Sequence, residues 1–317
     1  MNQIYNSAPE CPVLVIGASG VDLIGKLKGE IRQNASNPAR IRSSFGGTAR
    51  NVAENLARLG QAVKLITVIG EDHAGNELLN QLDEAGVDTC EVLRTPDHAT
   101  GSYVGVVKAN GVIHFAMDDM HAMTALTPGY LKERSDLFKE ASMVYVDTNL
   151  SSETLRTTMS LARRAKVPVC ADPTSTTLAN RLRPYLNRLH LITPNSNEAA
   201  IFCEQPFEAA RSHQAIKVAK FLVGQGVDMV LIALAEFGVV YASSETSGHI
   251  PALRTKILDP TGSGDALNAT VIFALLNGLS LDEAVRLGVS AASLTLRHSG
   301  SVVPNLSLEL LYDQLVI

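Results

Sequence analysis

The sequence contains no tryptophan, and aromatic residues make up only 5% of its 317 residues. Without aromatic side chains interleaved with basic ones, the chain offers no platform on which nucleic-acid bases could stack. The formal net charge of −5 also gives no electrostatic reason to expect nucleic acid or an anionic membrane as a partner. We therefore expect neither of these partners.

Cysteine is scarce, and the four cysteines lie far apart, at Cys11, Cys90, Cys170 and Cys203. Their spacing contains no CxxC pair and supports neither a zinc site nor a disulfide framework. No apolar run approaches the length needed to cross a bilayer. Residues 1–12 also lack the charged and apolar regions of a signal peptide. A reducing cytoplasm is the expected location.

What the sequence does contain is a regular alternation of short apolar runs with segments of helical periodicity. The predicted strands are Val13–Ile16, Val63–Val68, Met143–Val146, Val167–Ala171, Leu189–Ile192 and Met229–Ala233. The predicted helices are Ala49–Leu59, Asn76–Ala85, Glu153–Ala165, Ala215–Val223, Ala284–Leu296 and Leu306–Leu315. Ser280 and Glu283 form a capping-box pattern before the fifth of these helices. The alternation predicts an α/β fold, a doubly wound and mostly parallel sheet covered by helices on both faces.

Two segments break this alternation. Residues 25–46 show no clear helical pattern. Residues 97–121 contain a predicted hairpin, Tyr103–Lys108 and Val112–Met117, joined by a type I′ turn at Asn110-Gly111. We expect both segments to form a small β layer, a lid over the carboxyl ends of the parallel strands, where open α/β sheets bind their ligands.

The organisation predicted for the chain is a single domain, residues 1–317, that carries this β lid. No internal repeat, low-complexity tract or long linker interrupts it. The lid strands would have free edges, and an unpaired strand edge is a template for pairing with another chain. We therefore expect a homodimer formed through the lid.

The run Asp259–Asp265 (DPTGSGD) stands directly before the apolar stretch Ala266–Leu276. Its small residues let the backbone turn sharply, and the helix predicted after it leaves its first N–H groups without intrahelical partners. Such a helix start attracts negative charge, typically phosphate. Asp265 stands at that point, which suits a reaction in which a hydroxyl loses its proton while charge builds on a phosphoryl group. On this motif alone, a plain turn with Asp265 as a first-turn acid remains an alternative.

A second glycine pair precedes a predicted helix in the run Gly46–Ala53 (GGTARNVA). Two glycines before a helix permit a ligand to approach the backbone closely. Asn51 lies within the first turns of this helix, where its amide could hydrogen-bond a sugar hydroxyl. A helix start with a polar first-turn residue explains this pair equally well by itself.

Together these motifs are specific. The early G-G-x-x-x-N-x-A, the late D-x-T-G-x-G-D-A about 210 residues away, and the intervening Thr193–Glu198 (TPNSNE) resemble the ribokinase-like (PfkB-type) family of sugar and nucleoside kinases. The resemblance covers nearly the whole chain, including the lid. It implies a ribokinase-like three-layer fold and ATP-dependent transfer of a phosphoryl group to a primary hydroxyl of a sugar or nucleoside. It also implies Mg²⁺ with the nucleotide, and K⁺ as a further candidate cofactor.

The resemblance implies a role for several residues around the acceptor. Asp265 matches the family's base toward the substrate hydroxyl. The amides that match its anion hole are those of Gly262, Ser263 and Gly264. The residues that match sugar-binding positions are Asp22, Gly46, Gly47, Asn51 and Asn149. A helix start favours the ionised form of Asp265 and would make it a weak base, which a loose phosphoryl-transfer transition state tolerates.

Other matches concern the nucleotide and the cations. Asn195 and Glu198 match the Asn-x-x-Glu motif that organises nucleotide phosphates and magnesium, with Glu198 acting on the ion indirectly. Gly238 matches a nucleotide-binding glycine. The positions that resemble a monovalent-cation site beside the anion hole are Asp259, Thr261 and the loop around Arg297–Val303.

Further segments resemble the pseudouridine kinases within this family. They are Ser36–Ile41, the Gly46–Gly60 helix start with its Arg50, Asp118–Met120 and Asp147–Asn149. Conversion of pseudouridine to pseudouridine 5′-phosphate is therefore the first expectation. A kinase for another pentose, a hexose phosphate or another nucleoside is the alternative.

One departure from the family pattern concerns binding of the nucleotide that donates the phosphoryl group. After the strand that matches Met229–Ala233 the family commonly has Ser or Thr and then Gly, whereas this chain has Ala233 and Ala235. A catalytically weakened sensor of sugars or nucleosides is therefore a further alternative.

Two other enzyme classes are weakly signalled. Gly17–Gly20 (GASG) follows the first strand as a dinucleotide loop would, but its glycine spacing is wrong and no acidic residue closes a second strand about twenty positions later. Ser19 lacks the G-x-S-x-G elbow of serine hydrolases. We favour neither a nicotinamide enzyme nor a serine hydrolase.

Overall fold

The computed structural model describes residues 11–108, 113–203 and 207–315. The strands are β1 (Val13–Ile16), β2 (Gly20–Leu27), β3 (Ala39–Gly46), β4 (Val63–Ile66), β5 (Val68–Gly70), β6 (Leu93–Thr95), β7 (Gly101–Val107), β8 (Ile113–Asp119), β9 (Met143–Asp147), β10 (Val169–Asp172), β11 (Leu191–Ile192), β12 (Met229–Ala233), β13 (Val239–Ser243) and β14 (Ser247–Ile250). The α-helices are α1 (Thr48–Arg58), α2 (His73–Glu84), α3 (Pro128–Glu133), α4 (Ser135–Glu140), α5 (Ser152–Ala165), α6 (Ser196–Cys203), α7 (Ser212–Gly224), α8 (Ser263–Leu276), α9 (Leu281–Leu296) and α10 (Leu308–Leu315). Short 3₁₀ helices cover His121–Ala125, Ala179–Arg188 and Ala235–Phe237.

The main sheet has eight strands in the order β14-β13-β12-β11-β10-β9-β1-β4. The strands from β12 to β4 are parallel, whereas β13 and β14 run antiparallel at one edge. The predicted doubly wound, mostly parallel sheet is therefore confirmed. No pattern in the sequence pointed to the edge hairpin, because antiparallel neighbours need only a short turn and not the helical crossover by which parallel strands are recognised.

The sheet is covered on both faces, and β1 shows why. Successive side chains of a strand point to opposite faces. Val13 and Val15 belong to the apolar cluster that also contains residues of α1, α8 and α9, whereas Leu14 and Ile16 belong to the cluster on the other face, with residues of α5 and α7. Both faces of β1 are thus apolar, as expected for a strand buried between two helix layers.

Most predicted elements are confirmed with shifted ends. The strand predicted from Val167 begins at Val169, after Pro168, which has no N–H to donate to a ladder. Helix α2 begins at His73 because the Asp72 side chain accepts a hydrogen bond from Gly75 N (2.8 Å). The capping box that precedes α9 is confirmed.

A second sheet of four strands, in the order β3-β2-β7-β8, is built from the two segments that break the alternation. This sheet, called the lid below, begins at Gly20 and therefore earlier than predicted, because β2 pairs with both β3 and β7 along its length. The predicted turn at Asn110-Gly111 lies outside the described residues. Strands β5 and β6 form a separate two-stranded parallel sheet.

The register of the lid sorts its side chains onto two faces. Asp22 is paired with Ser44 and Tyr103, and the next residue of β3 on the same face is Arg42. The opposite face carries exposed apolar side chains, namely Leu23, Ile41, Phe115 and Met117. In the part of the chain that the structure describes, no helix is long and apolar enough to cross a membrane.

Candidate active site

The candidate site lies where β1 and β9 end, next to the start of α1. Asp147, the last residue of β9, is fully buried there. Its Oδ2 accepts hydrogen bonds from Ala18 N (2.8 Å) and Ala49 N (3.2 Å), and its Oδ1 accepts one from Asn149 N (2.9 Å). Burial raises the pKa of Asp147 above its ordinary value, although these hydrogen bonds oppose the shift. Asp147 thus holds together the backbone of three segments at the crevice where open α/β sheets bind ligands.

The glycine pair brings the start of α1 against this crevice. Gly47 has φ 95°, a left-handed conformation, and a Cβ there would lie 2.5 Å from Ala18 O. A Cβ on Gly46 would collide with the carboxylate of Asp22. Glycine is therefore required at position 47, and a side chain at position 46 would displace the carboxylate of Asp22. Gly46, Gly47 and Asp22 lie together.

The two motifs that are farthest apart in sequence meet through their side chains. Asn51 Nδ2 donates a hydrogen bond to Asp265 Oδ2 (2.7 Å). The Oδ1 of Asn51 accepts one from Arg50 Nη1 (2.9 Å), which orients the amide so that its NH₂ group points to Asp265. No described residue donates a hydrogen bond to Oδ1 of Asp265, so this oxygen is free to accept a proton.

Behind Asn51 lies a buried ion-pair network on α1. Arg50 and Glu54 form an ion pair, and each side chain is only 1% exposed. Glu54 also accepts a hydrogen bond from Arg58 Nε (2.9 Å) and a longer one from Gln81 (3.3 Å). Motif matching marked Arg50 only as a subgroup feature; the structure shows that it links Asn51 to a charged residue in the protein interior.

Helix α8 begins at Ser263, after Gly262. Gly262 has φ 75°, and a Cβ there would collide with Ser301 O, so this position also requires glycine. No side chain caps the helix, and no described residue accepts a hydrogen bond from the N–H of Gly262, Ser263 or Gly264. The predicted cluster of free amides is therefore present beside Asp265.

The environment of Asp265 corrects one expectation. Burial raises the pKa of Asp265 to about 7, and the negative charges of Asp22 and Asp147 add to this, while the hydrogen bond from Asn51 opposes it. This raised pKa differs from the expectation that the start of α8 makes Asp265 a weak base, and the physical cause is the removal of the carboxylate from water. A pKa close to neutral is what a general base requires.

Asp22 is a further buried carboxylate of this site. It is buried, and its Oδ2 accepts a hydrogen bond from Ser301 Oγ (3.0 Å). Burial raises the pKa of Asp22 to about 6, in spite of that hydrogen bond and of the charge of Arg50. Asn149, the fifth predicted sugar-binding residue, donates its backbone N–H to Asp147, and no described contact joins its side chain to the other four. A direct role for Asn149 stays a prediction.

A second group of residues lies at the ends of β10 and β11. Asn195 Oδ1 accepts hydrogen bonds from Asn197 N (2.9 Å) and Glu198 N (3.0 Å), while Glu198 Oε2 accepts one from Asn195 N (2.9 Å). The two predicted residues thus fix each other at the start of α6. Burial raises the pKa of Glu198 above its ordinary value.

Asp172, the last residue of β10, belongs to this group, although the sequence motifs did not mark it. Its Oδ2 accepts a hydrogen bond from Asn268 Nδ2 (2.8 Å) on α8, and burial together with the charge of Glu198 raises its pKa well above the ordinary value. The available signal in the sequence was an acidic residue directly after the predicted strand Val167–Ala171. Within the described ranges no three His, Cys, Asp or Glu side chains form a metal cluster. Two carboxylates completed by nucleotide phosphates and water fit the way proteins bind Mg²⁺.

The predicted nucleotide-binding residue Gly238 lies on the loop between β12 and β13. This loop adjoins Asn195, because Ala233 N donates a hydrogen bond to Pro194 O (3.0 Å). Ala235, one of the two departures from the family pattern, has φ 51°, a left-handed conformation that disfavours alanine. The backbone at Ala235 has thus kept a shape that suits glycine.

We expect Ala235→Gly to stabilise the protein by about 1 kcal/mol, since glycine adopts this conformation without steric cost. The midpoint of urea unfolding measures the change. Ala233→Gly is the matched control, because Ala233 lies in β12 and glycine there should destabilise the strand by roughly 0.5–1 kcal/mol. Equal destabilisation by both variants would contradict the strain at Ala235.

The residues predicted to hold a monovalent cation also lie together. Asp259 is fully buried, and its Oδ1 accepts hydrogen bonds from Thr261 N (3.0 Å) and Thr261 Oγ1 (2.7 Å). Its Oδ2 accepts one from Gly300 N (3.1 Å) and forms an ion pair with Arg42 of the lid. The ion pair was not foreseen from the sequence.

Comparisons with known proteins concern the family and the fold of this chain. A family model described as pfkB family carbohydrate kinase matches residues 12–307. A pseudouridine kinase of Escherichia coli (strain K12) is 30% identical over 297 residues, which cover 93% of this chain and 94% of that protein. A guanosine-inosine kinase of Exiguobacterium acetylicum is 28% identical over 89% of this chain and 93% of its own length. The structure of Arabidopsis thaliana ribokinase complexed with ribose and ATP matches with a TM-score of 0.85 at 21% identity, over 98% of this chain and 100% of the other.

Proposed function

The chain belongs to the pfkB family of carbohydrate kinases, and we propose that it transfers the γ-phosphoryl group of ATP to a primary hydroxyl of a nucleoside, with pseudouridine as the first candidate. The observation that carries this proposal is the carboxylate of Asp265, which Asn51 holds beside the free amides that open α8. This arrangement combines a base for an alcohol with a site for negative charge.

The proposed reaction follows from these groups. Asp265 takes the proton of the acceptor hydroxyl. The hydroxyl oxygen then forms a bond to the γ-phosphorus, and the bond from phosphorus to the bridging oxygen breaks, its electron pair leaving with ADP. The amides of Gly262, Ser263 and Gly264 would stabilise the charge on the transferring group, because phosphoryl transfer depends mainly on positioning and charge neutralisation.

The donor would bind near Asn195 and Gly238, whose loops are adjacent. In this proposal the carboxylate of Asp172, with Glu198 beside it, would hold Mg²⁺ together with the nucleotide phosphates, and the ion would supply positive charge that neutralises them. Glu198 would act through water, because its Oε2 already accepts a hydrogen bond from Asn195 N. The same proposal places the reaction in a reducing compartment, the cytoplasm, in line with four free cysteines.

Two observations support a nucleoside over a free sugar. The E. coli relative at 30% identity is a pseudouridine kinase. Tyr103 lies on the same lid face as Asp22, and its ring would offer a base an aromatic surface. Burial raises the pKa of Tyr103, so that its hydroxyl stays protonated and able to donate a hydrogen bond. Another nucleoside, a pentose or a hexose phosphate remains the alternative acceptor.

Release of ADP with a panel of acceptors tests the proposal. The panel contains pseudouridine, uridine, inosine, adenosine, ribose and fructose 6-phosphate, each with ATP and Mg²⁺. We expect turnover to be highest with pseudouridine. Highest turnover with another member would change the acceptor and keep the kinase. Binding of a nucleoside without ADP release on any member would support the alternative of a weakened sensor, for which Ala233 and Ala235 are the structural argument.

We also propose that two chains pair through their lids. The lid face turned away from the site exposes Ile41 (72%), Met117 (57%) and Phe115 (48%), and pairing would bury this apolar surface. Sedimentation at micromolar concentration should give about twice the chain mass of 33.8 kDa. Ile41→Glu should shift the mass toward one chain, and a monomeric mass of the unaltered protein would exclude the dimer.

A further inference from the structure

The buried carboxylate of Asp259 has its hydrogen-bonding capacity filled by protein groups. Its two oxygens receive the N–H and O–H of Thr261, the N–H of Gly300 and the guanidinium of Arg42. An ionised carboxylate offers about four lone-pair sites. Each site is therefore occupied by a donor, and the positive charge that a buried carboxylate requires comes from Arg42.

This arrangement does not fit the monovalent cation that the family resemblance implies. A cation beside the anion hole would need an oxygen of Asp259 as a ligand, and it would stand next to a guanidinium of the same charge. Arg42 enters from lid strand β3, and its side chain is 27% exposed while Asp259 is fully buried. The lid thus carries into this site the charge that a bound ion would otherwise supply.

The loop that links Asp259 to the anion hole is held by the lid at a second point. Gly300 N donates to Asp259, and the next residue, Ser301, donates its hydroxyl to Asp22 of β2 (3.0 Å). Ser301 O lies against Gly262, so closely that a Cβ on Gly262 would collide with it. The position of Gly262, where the free amides begin, therefore depends on a loop that two lid strands hold in place.

We propose that Arg42 is a positioning residue that replaces the monovalent cation, so that closure of the lid, and not a bound ion, orders the amides that open α8. This inference rests on the proposed kinase function. It implies that the closed lid orders the anion hole through two contacts. One is the ion pair of Arg42 with Asp259, and the other is the hydrogen bond of Ser301 with Asp22.

Polar groups surround the ion pair of Arg42 with Asp259, and they would line the space left by removal of the arginine side chain. Buried polar atoms without a hydrogen-bond partner among the described residues include Arg42 Nε, Ser44 Oγ and His298 Nδ1. Ser44 and His298 both lie near Gly300. Removal of the Arg42 side chain would leave a polar space beside an uncompensated carboxylate, which is a suitable place for a small hydrated cation.

The first test compares the unaltered protein with Arg42→Ala in buffers that contain K⁺ or tetramethylammonium as the main cation. We expect turnover of the unaltered protein to change less than about twofold, since no lone pair of Asp259 is left for an ion. Arg42→Ala should lose about 10- to 100-fold in kcat without K⁺, the size of a lost charge-assisted hydrogen bond, and should regain much of it with K⁺. The KM for the acceptor should change less than kcat.

Two further variants separate this role from a merely structural one. Arg42→Lys keeps the charge and should retain most of the turnover without K⁺. Arg40→Ala is the matched control, because Arg40 lies two positions earlier on β3, is exposed, and has no described ion pair; it should behave as the unaltered protein. Marked stimulation of the unaltered protein by K⁺ would overturn the proposal, and so would an Arg42→Ala variant with full turnover in both buffers.

The second test does not depend on turnover. Hydrogen exchange of the segment 259–266 should be faster in Arg42→Ala and should slow again when K⁺ is added, because the amides are then ordered by the ion. If no acceptor gives ADP but exchange responds in this way, the proposed function fails and the role of Arg42 stands. If ADP forms but exchange is the same in both proteins, the kinase stands and the role of Arg42 is wrong.

Discussion

Asp265→Asn is expected to lower kcat by about 10²–10⁴-fold, the range that a positioned general base contributes. Asparagine has nearly the same shape and can still hydrogen-bond the side chain of Asn51, but its amide cannot take a proton from the acceptor hydroxyl. Binding of the nucleoside should therefore persist while turnover is lost. Single-turnover kinetics and calorimetric titration of the acceptor measure the two effects separately.

The control for this variant is Asp136→Asn, since Asp136 is also a first-turn acid but lies exposed on α4, away from the site. It should leave kcat unchanged. A kcat of Asp265→Asn close to that of the unaltered protein would remove Asp265 from the reaction, and loss of acceptor binding would instead assign it a binding role.

The raised pKa of Asp265 also predicts how activity depends on pH. Because burial raises this pKa to about 7, the basic form is populated only as the pH rises through 7, and kcat/KM should rise to a plateau above it. An ordinary aspartate would give no change in this range.

The folded protein also holds this proton more tightly than the unfolded chain, so ionisation of Asp265 costs stability as the pH rises from about 4 to about 7. Asp265→Asn should therefore have a higher Tm than the unaltered protein at pH 8. Its remaining kcat/KM should not rise as the pH passes through 7.

Arg50→Met is expected to destabilise the folded protein by about 3–5 kcal/mol, because it leaves the buried carboxylate of Glu54 without its buried partner. The variant also removes the hydrogen bond that orients the amide of Asn51 toward Asp265. Turnover of the fraction that stays folded should therefore fall as well. Urea unfolding measures the first effect, and kcat at a temperature well below the Tm measures the second.

The control for this prediction is Arg58→Met, which removes the other cation bound to Glu54. Arg58 is 18% exposed, so water can replace part of its contact, and we expect a loss of about 1 kcal/mol. The double variant Arg50→Met with Glu54→Gln should recover a large part of the stability, because it removes the buried carboxylate that only the partly exposed Arg58 would still neutralise. If it is as unstable as Arg50→Met alone, packing of the arginine side chain and not its charge is the cause.

Some features of the fold could be predicted because they are periodic along the chain. The alternation of apolar runs with helical segments led to the parallel sheet between two helix layers. The lid was recognised as the part that breaks this alternation. The edge hairpin of β13 and β14 was missed, since two short antiparallel strands leave neither a helical crossover nor a long apolar run in the sequence.

For the candidate site, too, some features could be predicted from the sequence and others could not. The sequence by itself determined which residue types occur in the two glycine motifs, so that Asn51 and Asp265 could be expected to serve one site before any contact between them was known. Only the tertiary structure decided how Asp265 ionises and how Arg42 meets Asp259. The reason is physical: a pKa is set by how completely the fold removes a group from water, and an ion pair between distant residues depends on strand register and on how the lid meets the loops before α8 and after α9. Neither quantity has a local pattern in the chain.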